Sequence, residues 1–137
     1  MLEISLPDFR IALSPLERKI EGSGGPYFDW IHLQVSFQTA GLTANFQWNV
    51  MPGELSSFEK QLRSIYLNPT SQVSAKLESV EPGLYMRIDS NGGGNLIITY
   101  SFQPTPPDGP ELNGVTGADQ SFLPTIIAGI SEIINFH

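Results

Sequence analysis

Two adjacent segments alternate apolar and polar residues more regularly than any other part of the chain. In residues Trp30–Thr39 the apolar residues at positions 31, 33, 35 and 37 share one face, and Leu42–Val50 repeats this pattern after the short turn Ala40–Gly41. Because successive side chains of a β-strand point to opposite faces, each segment predicts a strand with one buried and one polar face. The short connection predicts an antiparallel hairpin.

Shorter or less regular segments predict further strands. Alternation on either side of Pro7–Asp8 indicates a short strand pair or a bent strand. Pro82–Gly83 and Asn91–Gly92 mark turns between three later apolar segments. The pattern does not decide whether residues 111–115 form a last strand. The predicted strands outside the hairpin cover residues 2–6, 9–13, 73–79, 84–89 and 95–103.

Two segments have the apolar spacing of amphipathic helices. The first begins near Pro52, because a helix start does not need the N–H group that proline lacks, and Glu54 suits the positive end of the helix dipole. It ends before Asn68–Pro69. The second helix is predicted from Asp119 onward. The apolar stripes are Leu55, Phe58, Leu62, Ile65 and Tyr66 in the first helix, and Phe122, Leu123, Ile126, Ile127, Ile130, Ile133 and Ile134 in the second.

These elements together predict one α+β domain over residues 1–137. An antiparallel sheet would be covered on one face by both helices, in a two-layer arrangement. The length of 137 residues is sufficient for a hydrophobic core. Hydrophobic residues make up 40% of the chain and charged residues 15%, which is a globular and not a disordered composition. We see no internal repeat in the sequence.

The charge distribution changes the expected kind of partner. The formal net charge is −7, from 7 basic and 14 acidic residues, so a nucleic-acid backbone would be repelled. After Arg87 there are five acidic residues and no lysine or arginine, which gives the last 50 residues a side-chain charge of −5. This excess either promotes solubility or steers the protein toward a basic partner.

Residues for catalysis or metal binding are sparse. The chain has no cysteine, and its two histidines are His32, on the polar face of a predicted strand, and the terminal His137. This set excludes a zinc site of ordinary type, and no nucleophile-elbow motif is present. The glycine-rich residues 89–94 resemble the start of a calcium loop, but the twelfth position is Tyr100, so a hairpin turn explains them. We therefore expect a non-enzymatic protein with no cofactor and no metal.

The chain also shows no signal for secretion or membrane insertion. Its N-terminus has an early acidic residue and an apolar run interrupted at Pro7–Asp8, and no segment reaches the roughly 20 apolar residues of a membrane span. We expect a cytoplasmic protein.

One aromatic residue is a candidate for partner binding. Trp30 lies opposite Ile31 in the alternation and therefore on the polar face, where an exposed tryptophan can anchor a protein partner. Phe28, Phe37, Phe46 and Trp48 also lie at strand spacing and are expected to pack in the core.

Several segments of the chain share their order of residues with a known family. These segments are Trp30-Ile31-x-Leu33-x-Val35-x-Phe37, Gly41, Glu54-Leu55-x-x-Phe58-x-x-x-Leu62, the strand ending at Glu78, the alternation over 84–88, Gly94-x-Leu96-x-Ile98 and Asp119-Gln120-Ser121-Phe122-Leu123. In this order the chain resembles the WapI family of bacterial immunity proteins over residues 30–134. Residues 104–110 and the polar pair Asn113–Gly114 depart from the family pattern.

The resemblance implies a protein that binds and neutralises the C-terminal domain of a bacterial toxin. An acidic inhibitor can imitate the nucleic acid that a nuclease toxin binds, so Asp89, Asp108 and Glu111, on predicted turns and loops, become candidate contacts, whereas Asp119 is expected to cap the last helix. Two alternatives remain open. One is a binding or scaffold module of another bacterial system, such as a phage or secretion accessory protein. The other is a small enzyme that uses paired carboxylates, for example Glu78 with Glu81.

Overall fold

The computed structural model describes all of residues 1–137 as eight strands, two α-helices and one 3-10 turn. Every helix and strand predicted from the sequence is present. The elements are β1 (Leu2–Leu6), β2 (Phe9–Lys19), β3 (Trp30–Thr39), β4 (Leu42–Val50), α1 (Pro52–Leu67), β5 (Ser74–Leu77), β6 (Leu84–Ser90), β7 (Asn95–Phe102), β8 (Leu112–Asp119), a 3-10 turn (Gln120–Phe122) and α2 (Leu123–Ile134).

The strands form two antiparallel sheets of four strands each. The first sheet has the order β1-β2-β3-β4 and the second the order β5-β6-β7-β8, so each strand pairs with its neighbours in sequence. The predicted antiparallel α+β fold with two helices is confirmed. The division into two sheets was not predicted, because alternation shows which face of a strand is buried but not which strands are neighbours.

The order of elements occurs twice, as four strands followed by a helix. The packing of the two halves is reciprocal, since α1 packs on β5 of the second sheet and α2 packs on β1 of the first. The two helices also contact each other. The structure therefore contains a repeat of elements that the sequence does not show, because different apolar residues can fill equivalent core positions.

An aromatic cluster joins the two sheets. The ring of Phe37 in β3 contacts the rings of both Tyr100 and Phe102 in β7, at ring-centroid distances of 5.4 Å and 4.6 Å. Phe9 of β2 lies 5.0 Å from Tyr100 and 5.5 Å from Phe37. These contacts belong to a single cluster of 30 buried residues that includes both sheets and both helices.

The last strand, which the sequence left open, is complete. Strand β8 pairs with β7 in unbroken register from Leu112, opposite Phe102, to Asp119, opposite Asn95. None of its residues is buried. Gly114 is required in this strand, because a Cβ atom there would lie 2.2 Å from the hydroxyl oxygen of Tyr100.

Asp119 caps the 3-10 turn Gln120–Phe122 that leads into α2, and not α2 itself as predicted, because the helix begins only at Leu123. One carboxylate oxygen accepts a hydrogen bond from the backbone N–H of Ser121 at 2.8 Å and another from the Ser121 hydroxyl. The hydrogen bonds from the Ser121 side chain and backbone lower the pKa of Asp119 below its usual value of 3.8.

Replacing Asp119 with alanine should therefore lower the melting temperature at pH 7. Because the folded-state pKa is depressed, the stabilisation is complete above the unfolded-state pKa of about 3.9 and is lost as the pH falls through the folded-state value. Thermal melts between pH 7 and pH 3 should show the difference from the unmodified protein shrinking below about pH 4. Asp119→Asn keeps an accepting oxygen and should retain most of the stability. An unchanged difference at pH 3 would contradict this assignment.

Candidate partner-binding surface

Four of the eight acidic residues that are in no ion pair lie at one end of the second sheet. Five of the seven basic side chains form ion pairs: Arg10, Arg18, Lys19, Arg63 and Arg87. Glu78, Glu81, Asp108 and Glu111 are in no ion pair, and all four lie in or beside the two loops at this end, β5–β6 and β7–β8. Half of the acidic residues without an ion-pair partner therefore lie at this end of the second sheet, which we call the acidic end.

Three of these residues line an open depression, which we call the acidic depression. Its volume is about 360 Å³. The carboxylates come from two directions, because Glu78 and Glu81 lie between β5 and β6 whereas Glu111 directly precedes β8. The acidic depression is lined by Glu78, Ser79, Glu81, Pro82, Gly83, Leu84, Tyr85, Ser101, Gln103 and Glu111.

The β5–β6 side of the acidic depression is held by α1 and by β4. Glu54, in the first turn of α1, accepts hydrogen bonds from the hydroxyl of Ser79 at 2.8 Å and from the N–H of Val80 at 2.9 Å. The indole N–H of Trp48 donates to the carbonyl oxygen of Glu81 at 3.1 Å. Two elements therefore hold the loop backbone from which Glu78 and Glu81 extend.

The β7–β8 side is organised by polar residues of β7 and the residue that follows it. The hydroxyl of Ser101 donates to a carboxylate oxygen of Glu111 at 2.9 Å. The side-chain amide of Gln103 donates to the carbonyl oxygens of Pro107 at 2.7 Å and Gly109 at 3.1 Å. These two bonds flank Asp108, which is exposed. Asp108 and Glu111 thus lie on one ordered loop, as part of the same acidic end.

Asp89 lies at the other end of this sheet. It pairs with Ile97 in the β6–β7 ladder, whereas Glu111 adjoins the pair of Leu112 and Phe102. Five residues of extended strand separate these positions, or about 17 Å. The Asp89 carboxylate accepts hydrogen bonds from Arg87 Nε at 2.9 Å and from a serine hydroxyl of β5. The structure does not bring Asp89 together with Asp108 and Glu111.

Trp30 lies in the first sheet, at the start of β3. It pairs with Lys19 of β2 and is half-buried. It follows Asp29, a buried residue in a salt bridge of 3.0 Å with Arg18. Trp30 is therefore not part of the acidic depression, and its predicted partner contact would be a separate one.

The family comparison agrees with the resemblance seen in the sequence. The model of the immunity protein WapI-like family matches residues 3–136, which is nearly the whole chain. The chain belongs to this family. Membership in the WapI-like family supports an immunity role in general. No curated protein matches the chain.

Two further findings on this WapI-like immunity protein concern metal binding and membrane-spanning helices. No group of three or more histidine, cysteine, aspartate or glutamate residues is arranged to hold a metal ion. No helix is long and apolar enough to cross a membrane.

A second exposed surface, which the sequence analysis did not predict, is formed by the loop between β2 and β3. The loop between β2 and β3 exposes Ile20, Tyr27 and Phe28; the expectation that Phe28 packs in the core is wrong, since it is 63% exposed. The loop is nevertheless anchored, because the carbonyl oxygen of Pro26 accepts a hydrogen bond from the N–H of Gly53 at 2.7 Å. A Cβ atom at Gly53 would lie 2.5 Å from the ring of Tyr27. The glycine directly after Pro52 was therefore the one feature of the sequence that could have indicated a close contact with this loop.

Proposed function

We propose that the chain is an immunity protein that binds the C-terminal domain of a bacterial toxin in the cytoplasm and neutralises it without catalysis. The proposal rests on one observation beyond the family: four of the eight acidic residues without an ion-pair partner lie together at the acidic end of the second sheet. Partners that bind through complementary charge associate quickly and exclude competitors of the wrong sign.

The acidic depression suits arginine or lysine side chains of the toxin. Glu78, Glu81 and Glu111 present carboxylates around an open volume of about 360 Å³, large enough to admit the end of a basic side chain. An arginine there could form paired charge-assisted hydrogen bonds with a carboxylate. A toxin that acts on nucleic acid carries a basic cleft, so this surface would occupy the place of the phosphate backbone.

The four predicted contact residues have different places in this proposal. Asp108 and Glu111 belong to the central contact, because they lie at the acidic end. Asp89 and Trp30 would touch the toxin only through separate contacts, at the far end of the second sheet and in the first sheet. A toxin residue that contacts Asp89 would also have to share its carboxylate with Arg87, which already forms an ion pair with it.

Charge reversal tests the proposal with a matched control. The partner for the test is a toxin domain identified by translating the neighbouring genes, and co-expression of this protein with that domain should restore growth. Asp108→Lys/Glu111→Lys should weaken binding of the purified domain roughly 10- to 100-fold, with a smaller salt dependence. Asp8→Lys/Glu17→Lys makes the same charge change on exposed residues of the first sheet and should bind nearly as well as the unmodified protein.

Two outcomes would count against the proposal in different ways. Equal loss of affinity in both variants would show that only the net charge matters and that the acidic end is not the contact. Failure of the unmodified protein to bind or rescue would overturn the immunity function for that toxin domain. A role as a binding module of another system would then take first place.

A further inference from the structure

We propose that the free edge of β8 binds an extended, basic segment of the toxin domain as an additional antiparallel or parallel strand. This inference rests on the proposed immunity function and adds the mode of recognition to it. Backbone hydrogen bonds along the edge would supply affinity, and the acidic residues at both ends of β8 would select the sign of the incoming segment.

The register shows which backbone groups of β8 are available. The N–H of Gln120 donates to the carbonyl oxygen of Gly94 at 3.0 Å, which continues the β7–β8 ladder by one pair. In an antiparallel ladder, hydrogen-bonded and non-hydrogen-bonded pairs alternate, so the even-numbered residues of β8 face β7. The residues that direct both N–H and C=O away from the sheet are Asn113, Val115, Gly117 and Asp119.

Helices cover two of the other three sheet edges. Strand β5 lies against α1, and the side-chain oxygen of Gln61 accepts a hydrogen bond from the outward N–H of Lys76 at 2.7 Å. Strand β1 packs against α2. Strand β8 is the edge strand at the end of the order β5-β6-β7-β8, and neither helix packs on it.

Strand β8 also lacks the features by which proteins usually block an exposed edge. Those features are lysine side chains, proline, a bulge or a very short strand. The eight residues of β8 contain no lysine and no proline, and their pairing with β7 has no register shift. Val115 is 65% exposed and Ile97 on the adjacent strand is 44% exposed, so the outer face beside this edge offers apolar contact as well.

Charge identifies the occupant as a basic segment. Asp119 ends β8, Glu111 directly precedes it, and Asp108 lies three residues earlier, with no basic residue anywhere after Arg87. A second copy of this chain paired antiparallel on the same edge would bring Glu111 of each copy close to Asp119 of the other, which is repulsive. The remaining edge, β4, exposes the uncharged side chains of Thr43, Asn45 and Gln47 and offers no comparable selection.

The test uses two substitutions at one outward residue and a control on the other free edge. Val115→Pro removes an outward N–H without removing a bond to β7, and Val115→Lys places a cation where a basic strand would pair. Each should weaken binding of the purified toxin domain roughly 10- to 100-fold. Gln47→Lys adds the same charge at the β4 edge and should leave affinity within about two-fold of the unmodified protein.

Amide hydrogen exchange of the complex provides an independent readout. The N–H groups of Val115 and Gly117 should exchange at least about ten-fold more slowly in the complex than in the free protein, because they become hydrogen-bonded. A complex without this protection, together with unchanged affinity of both Val115 variants, would overturn the strand-addition mode and leave the immunity function standing. Absence of any complex would overturn both. Protection of these amides in the protein alone at high concentration would assign the edge to a second copy instead.

Discussion

Replacing Arg18 with alanine should lower the free energy of unfolding by about 3–5 kcal/mol, far more than the loss of an ordinary surface charge. The guanidinium donates to one carboxylate oxygen of Asp29 at 3.1 Å and 3.0 Å, and the two side chains are only 13% and 7% exposed. Removal of the cation would leave a carboxylate that is only 7% exposed without a counter-charge, and an unpaired buried charge is costly.

Arg18 also binds the end of the chain. One terminal nitrogen donates to the carbonyl oxygens of Ile134 at 2.8 Å and Phe136 at 3.1 Å, where α2 ends. Asp29 in turn accepts a hydrogen bond from the N–H of Gly25 at 3.1 Å. One ion pair therefore joins β2, the exposed aromatic loop and the C-terminal end of α2, so its loss should loosen all three.

Chemical denaturation of two controls separates this role from general charge effects. Arg63→Ala removes an exposed i, i+4 partner of Glu59 and should cost no more than about 0.5 kcal/mol. Arg18→Met/Asp29→Asn removes both charges and should recover a large part of the stability lost in Arg18→Ala. A loss below about 1 kcal/mol in Arg18→Ala itself would mean that the pair behaves like an exposed one.

The elements that the sequence predicts well are those with a local signal. The alternation of β3 and β4 and the helical spacing in α1 and α2 depend on neighbours a few residues apart, and the structure has all four elements. The division of the strands into two sheets depends on contacts between distant segments. So does the role of Arg18, which stands between Glu17 and Lys19 and reads as one solvated charge among three.

The residues of the candidate site also divide into those with a local signal in the sequence and those brought together by contacts between distant segments. Asp108 and Glu111 could be proposed from the sequence, because a polar, proline-rich loop between apolar segments is exposed. Glu78 and Glu81 could be noted only as a possible acidic pair, since their position opposite Glu111 results from the pairing of β6 with β7 and of β7 with β8. Spacing along the chain carries no information on that proximity. The placement of Asp89 far from Glu111 is a consequence of the same ladder.

Replacing Phe37 with alanine should lower the free energy of unfolding by about 3–5 kcal/mol, because it removes a fully buried ring and leaves a cavity. The ring contacts Phe9, Tyr100 and Phe102 across the junction of the two sheets, so the cost includes their aromatic contacts as well as the lost burial. Phe37→Leu keeps most of the apolar volume and should lose clearly less.

The way in which Phe37→Ala unfolds also tests whether the two halves form one cooperative unit. The ring belongs to β3, yet Tyr100 and Phe102 belong to β7, so destabilisation should reach both sheets equally. Urea denaturation followed by tryptophan fluorescence, which reports on the first sheet, should then coincide with hydrogen exchange in β6 and β7. If exchange in β6 and β7 stayed as slow as in the unmodified protein, the four-strand halves would be separate folding units, and the acidic end of the second sheet could keep its shape while the first sheet unfolds.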